Sequence, residues 1–323
     1  MALTSNTELP PKLSSALVDP ELVPKILAIG DLVLNEASLP LMRTSAGGPD
    51  FPVEPDVRLE EFHIPGPPGG PDVRMLALIP EGLPADSPSL LYIHGGGYVM
   101  GNPDGNAGLA SKMAKAVGCV VFVPTYRLAP ETTWEGSRAD LYCALQWVYA
   151  NAGQFGASGR RLAIAGRSAG GGHAAGLALH ARKLGGPPIG YQMLLCPMLD
   201  DRQPDNPYLG EYVWTRESDR FGWRALLGME PGGPDVPEEA VPARAEDLAG
   251  LPATFIDVGS IELFAEASLE YARRLMAAGV PVELHVMPGG YHGYESMVPE
   301  AGISQFVDLA VVQGLKRAFA RME

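Results

Sequence analysis

The 323-residue chain is predicted to be an α/β protein, a mainly parallel sheet covered by helices. Three observations predict this. From about Val57 onward, short β-rich runs alternate with helical stretches; a glycine-framed serine, Gly166-Arg167-Ser168-Ala169-Gly170, joins one such run to a small-residue helix; and a glycine-rich turn, His94-Gly95-Gly96-Gly97, follows another run directly.

The elements follow in order. Val57 to Ile64 is expected as the first, edge strand, succeeded by Asp72 to Ile79, Leu90 to Ile93, Cys119 to Pro124, Arg161 to Ala165, Ile189 to Leu195 and Thr254 to Val258. Leu263 to Ala278 has helical periodicity, Val282 to Met287 is the last strand, and Ile303 to Arg321 is an amphipathic terminal helix. Two segments break the alternation. Residues 1 to about 50 carry apolar helical spacing interrupted by prolines. Residues 201–247 set Trp214, Phe221, Trp223, Leu226 and Leu227 between loops rich in Pro, Gly and Asp, as an inserted cap would.

Composition narrows the function classes. The chain is 46% apolar and 19% charged, and it has no apolar run near the roughly 18 residues that would suggest a membrane helix. A formal charge of -14 argues against nucleic acid as a partner, because phosphate contacts need clustered Lys and Arg. Met1 to Leu13 lacks a basic region followed by an apolar core, so a cytoplasmic location is expected. Cys119, Cys143 and Cys196 are odd in number, have no metal-like spacing, and are expected as buried free thiols; no metal site is expected.

The chemistry gathers around Ser168. Serine is a weak nucleophile unless a base, an orienting group for that base and oxyanion donors accompany it. A sharp strand-to-helix turn would project the Ser168 hydroxyl outward, and the Gly95-Gly96-Gly97 turn can aim backbone N–H groups at a substrate carbonyl. His292, in Gly289-Gly290-Tyr291-His292-Gly293-Tyr294, follows the last strand in a loop from which it could reach back to Ser168. His63 and His285 lie in expected strands, and His173 and His180 in the helix after the serine, where structural roles are commoner. The orienting carboxylate must follow a strand and precede His292, which leaves Asp257, Glu262 and Glu266. Glu262 is favoured because it lies in the loop at a strand's carboxyl end, where sites of open α/β sheets gather, and Asp257 is the fallback.

These residues together resemble the hormone-sensitive-lipase-like esterases of the α/β-hydrolase superfamily. The resemblance runs from about Leu90 to Tyr294 and rests on His94-Gly95-Gly96-Gly97, Tyr126-Arg127-Leu128-Ala129-Pro130-Glu131, Ser168-Ala169-Gly170-Gly171-Gly172, Pro197-Met198-Leu199-Asp200-Asp201-Arg202 and Gly290-Tyr291-His292-Gly293. It implies an α/β-hydrolase fold with a mainly parallel eight-stranded sheet and a helical cap built from residues 1–50 and 201–247, around core parts 51–200 and 248–323. It also implies cofactor-independent hydrolysis of short-chain carboxylic esters. Ser168 would be the nucleophile, His292 the base and Glu262 the acid, with Gly95, Gly96 and Ala169 supplying the oxyanion N–H groups. Many relatives have aspartate at the Glu262 position.

One residue departs from the resemblance. Relatives commonly carry Asp, Glu or Thr where this chain has Arg167; the cation is expected to pair with acids such as Asp200 or Asp201, the alternative being an influence on substrate preference. The substrate pocket is expected to draw on Tyr98, Tyr212, Trp214, Phe221 and Tyr291, although aromatic clusters in helical segments more often serve packing. Two other readings stay open: the same triad acting on an amide, lactone or carbamate, or a non-catalytic small-molecule receptor on the same scaffold, as in the plant gibberellin receptor. A homodimer through the last strand is expected, since edge strands must be covered or paired.

Overall fold

Eight strands form one sheet in a computed structural model of the chain, which describes residues 9–31, 33–45 and 52–322. They are β1 (Val57–Ile64), β2 (Val73–Pro80), β3 (Ser87–Ile93), β4 (Val120–Pro124), β5 (Ala157–Arg167), β6 (Tyr191–Leu195), β7 (Ala253–Gly259) and β8 (Val282–Met287). Their spatial order is β1-β2-β4-β3-β5-β6-β7-β8. β2 pairs antiparallel with both β1 and β4, and every other pair is parallel. The expected α/β-hydrolase architecture is present. β3 and β5 start earlier than their apolar runs suggest, because Ser87 and Pro88 pair with Ala157 and Ser158 ahead of a register shift. Polar and proline residues at a strand's start conceal such a pairing.

The helices are α1 (Val23–Ile29), α2 (Leu39–Ser45), α3 (Pro103–Val117), α4 (Trp134–Asn151), α5 (Ala169–Leu184), α6 (Arg216–Leu227), α7 (Ala265–Ala277), the single turn α8 (Tyr294–Met297) and α9 (Gly302–Phe319). Strand periodicity divides the core in two. Leu76, Leu78, Leu90, Tyr92, Val121 and Leu195 face one side with α3 and α9, while Met75, Ala77, Leu91, Ile93, Phe122 and Ile164 face the other with α4, α5 and α7. Burial on both faces is what permits the near-continuous apolar runs of β3, β4 and β6.

A third apolar cluster lies over the sheet. Leu34 and Leu39 join Trp214, Trp223, Leu226 and Leu227 and pack on Tyr98, Val99, Met198 and Phe264. Polar contacts join the same two segments: Glu211 accepts from the Ser14 amide and hydroxyl, and the Leu34 amide donates to Ser218 Oγ at 2.9 Å. Of the expected N-terminal cap part, residues 1–8, 32 and 46–50 lie outside the described residues. Among the described residues no helix is long and apolar enough to cross a membrane. Cys119 and Cys196 are buried free thiols, whereas Cys143 is only half-buried, because it sits near the solvent side of α4.

Candidate active site

β5 ends at Arg167, and α5 begins at Ala169, so Ser168 alone makes the turn between them. Its φ of 56° and ψ of -122° are strained for a residue with a side chain. Neighbouring contacts over-determine that conformation. The Ser168 amide donates to Leu195 O at 2.8 Å, and its carbonyl accepts from Gly172 at 3.1 Å and Met198 at 3.0 Å. Two glycines make the turn possible: a Cβ on Gly166 would run into the Gly170 carbonyl, and one on Gly170 would run into Ile93 O.

The structure brings Ser168, His292 and Glu262 together. His292 Nε2 lies 2.9 Å from Ser168 Oγ, and its Nδ1 lies 3.4 Å from Glu262 Oε1. Glu262 Oε2 accepts from the Gly259 amide at 3.2 Å, which fixes the carboxylate where β7 ends. All three side chains are buried. Burial raises the Glu262 carboxyl above its ordinary range, and the bond to His292 opposes that rise.

The other two acids are elsewhere. Asp257 lies inside β7, and among the described residues its Oδ1 has no hydrogen-bond partner. Desolvation, reinforced by Glu295 and opposed by Arg167, pushes its carboxyl well above the usual range. Glu266 accepts from Asn206 at the surface. The remaining histidines are also apart from Ser168: burial lowers His94 to about 4 and His173 to about 3, and both rings pack against Tyr126.

The glycine-rich turn closes directly on the serine. A Cβ on Gly95 would lie 2.9 Å from Arg167 O and 3.3 Å from Ser168 Cβ, so only glycine allows this approach. Gly96 and Gly97 have φ of 122° and 59°. Among the described residues, none of the backbone bonds formed outside helices and strands is donated by Gly95, Gly96 or Ala169.

Supports that sequence reasoning missed surround this turn. Tyr126 stacks on His94, with ring centroids 4.3 Å apart, and donates its hydroxyl to His94 O at 2.9 Å. Arg43, on α2, donates to Val99 O and Ala129 O and pairs with Glu131. The Tyr126–Glu131 motif was visible, but its role needed the fold. Nothing in the sequence singled out Arg43.

The five pocket aromatics separate. Trp214 stands at the site, its indole packed against Gly97 and its ring centroid 6.0 Å from His292, with Asp219 Oδ1 3.4 Å from its Nε1. Phe264, not singled out in the sequence, lies edge-on to His292 with centroids 5.1 Å apart. Tyr98 points away, donating to Met198 O and packing on Trp223 and His173. Tyr212 joins Ser15 and Lys12 of the N-terminal segment. Tyr291 is core, and Phe221 is half-buried on α6 beside Arg224.

Arg167 does not pair with Asp200 or Asp201. Asp200 is taken by Arg202, and Asp201 is clamped by Arg244. The partner of Arg167 is Glu295, at 3.0 Å, because the side chain of the last β5 residue turns under the sheet's end and not toward the 201–247 segment.

As for metal ligands, Cys196, Glu262 and His292 hold ligand atoms within 4.8 Å of one another. Glu262 and His292 already bond each other, and His292 bonds Ser168, so an ion there would compete with that chain of contacts. The arrangement as it stands can deprotonate a serine hydroxyl beside a set of amide donors.

Similarity to known proteins agrees with this chemistry. A family described by its alpha/beta hydrolase fold matches residues 90–296. The chain is 37% identical over 263 residues to the esterase LipI of Mycobacterium tuberculosis, covering 78% of this chain and 81% of that protein. It is 34% identical over 275 residues to the carboxylesterase NlhH of the same organism, covering 82% and 84%. Among solved structures, a bacterial heroin esterase superposes with a TM-score of 0.86 at 35% identity, covering 94% of this chain and 98% of that one.

Proposed function

Since the chain belongs to the α/β-hydrolase family, we propose that it hydrolyses carboxylic esters through Ser168, His292 and Glu262. Carboxylic ester hydrolysis is its reaction class. The single observation that carries the residue assignment is His292, bonded to Ser168 through Nε2 and to Glu262 through Nδ1. With Nδ1–H directed at the carboxylate, Nε2 accepts the serine proton as Oγ attacks the ester carbonyl carbon. The developing oxyanion meets the amides of Gly95, Gly96 and Ala169, donors that contribute about 3 kcal/mol each. Collapse of the tetrahedral adduct breaks the bond to the alcohol oxygen, which takes the proton from His292. Water then repeats the sequence on the acyl-enzyme.

Within the family, the His94–Gly97, Ser168–Gly172 and Gly290–Gly293 motifs support the hormone-sensitive-lipase-like branch. Trp214, packed on Gly97 beside His292, supports a short acyl chain by occupying space next to the nucleophile. Dimerisation through β8 rests on its place at the sheet edge, with Val286 38% exposed. A monomeric mass by light scattering at micromolar concentration would dispose of it. A cytoplasmic location remains part of the same reading.

The test is an acyl-chain series of p-nitrophenyl esters with the wild type and Ser168→Ala. Activity confined to short chains and abolished in the variant is expected; a fully active variant would reject Ser168 as the nucleophile. Matched ester and amide substrates then separate esterase from amidase action.

A further inference from the structure

The elbow residue Arg167 is the last residue of β5 and immediately precedes Ser168. Glu295 is the second residue of α8 and lies three positions after His292. The two side chains are 14% and 2% exposed, and Arg167 Nη2 lies 3.0 Å from Glu295 Oε1. One ion pair thus joins the two segments that bear Ser168 and His292. The approach is off the hydrogen-bonding angle, so it is an electrostatic contact, and both Glu295 oxygens lack another partner among the described residues.

The strand register explains why a cation stands here. Arg167 and Asp257 both pair with Leu195, so all three point to the same face of the sheet. Leu195 belongs to the core shared with α3 and α9. Arg167 therefore enters a buried region where Glu295, Asp257 and Glu262 converge. Of the acids there, Glu295 is the one within ion-pair distance of Arg167. The turn of α8 is closed by Ser296 and Met297 donating to Gly293 O and by Val298 donating to Tyr294 O, and Tyr294 and Val298 anchor it in the core.

We propose that Arg167 and Glu295 are positioning residues, an interior ion pair that ties the serine turn to the histidine loop and holds His292 Nε2 in reach of Ser168 Oγ. The proposal rests on the assignment of Ser168 and His292 above. Neither residue touches the reacting atoms. The pair acts by restricting where the histidine loop sits relative to the serine, and misplacement of a catalytic group by about 1 Å is enough to lower turnover on the order of a hundredfold.

The test must separate positioning from stability, because removing one member strands a buried charge and destabilises the fold. Two variants do so. R167M/E295M removes both charges while keeping apolar volume, a change that is commonly neutral for folding. Glu295→Asp keeps the charge and withdraws the carboxylate by one methylene. Steady-state kinetics on p-nitrophenyl butyrate, beside thermal melting, give the readout. Both variants are expected to melt near the wild type, with kcat reduced on the order of tenfold and KM within about twofold. Wild-type kcat in either folded variant overturns the proposal, as does a lowered Tm with kcat unchanged in the folded protein. Ser168→Ala runs in parallel: residual activity there would reject the assignment of the nucleophile, whereas an inactive Ser168→Ala beside a fully active R167M/E295M rejects only the positioning role.

Discussion

His292 Nε2 approaches Ser168 Oγ to 2.9 Å across 124 positions of sequence, and both side chains are buried. The approach depends on Glu262, whose carboxylate meets the opposite ring nitrogen at 3.4 Å while it also accepts the Gly259 amide.

That arrangement distinguishes the two acids near the end of β7. Glu262→Gln should keep the shape and disrupt the Nδ1–H tautomer, lowering kcat roughly 10³- to 10⁴-fold. Asp257→Asn should change kcat little, since Asp257 lies inside β7 and the Nδ1 of His292 is engaged by Glu262. Steady-state hydrolysis of p-nitrophenyl butyrate decides; the reverse pattern would make Asp257 the acid.

Gly95 is set too close to the serine turn for any side chain. Gly95→Ala places a Cβ 2.9 Å from Arg167 O and 3.3 Å from Ser168 Cβ, which should push the amides proposed as oxyanion donors out of line. A fall in kcat on the order of 10²-fold, together with a lowered Tm because the Cβ must displace backbone, is expected. Full activity would show that the turn does not supply the donors.

Trp214 restricts the space beside His292. Trp214→Ala should shift the preferred acyl chain in a p-nitrophenyl ester series toward longer chains, by freeing the volume over Gly97. An unchanged chain-length profile would place the acyl group on another side of the nucleophile.

Asp219 should make the stability of the 201–247 segment depend on pH. It is 2% exposed, lies beside Trp214 and Gln203, and burial raises its carboxyl to about 8. The folded state therefore binds this proton more tightly than the unfolded chain, and the contribution to stability falls as pH rises from about 4 through about 8. Asp219→Asn should raise Tm by several degrees at about pH 8 and by much less at about pH 5, read by thermal melting. The comparison with wild type cancels the buried neutral rings of His94 and His173, whose depressed values act oppositely, removing stability as pH falls below about 6.5. A pH-independent difference would refute the assignment to Asp219.

Much of the fold was legible along the chain. Strands buried on both faces read as continuous apolar runs, and glycines forced by close backbone approach, Gly166, Gly170 and Gly95, leave fixed local patterns around Ser168 and the His94–Gly97 turn. What failed to show was whatever depends on which side chains converge from distant segments. Pairing of Ser87 and Pro88 with Ala157 and Ser158 is invisible in a polar stretch, and Arg167 looks equally ready for Asp200, Asp201 or Glu295.

The sequence by itself determined the α/β architecture, the serine turn and the residue types able to serve it, because periodicity and backbone sterics act over a few neighbours. Only the tertiary structure decided that Glu262 and not Asp257 faces His292, that Trp214 alone of the five pocket aromatics reaches that ring, and that Arg167 is neutralised by Glu295. Hydrogen bonds and ion pairs act over a few ångströms, and which residues come within that range is set by strand register and loop path, not by proximity in the chain.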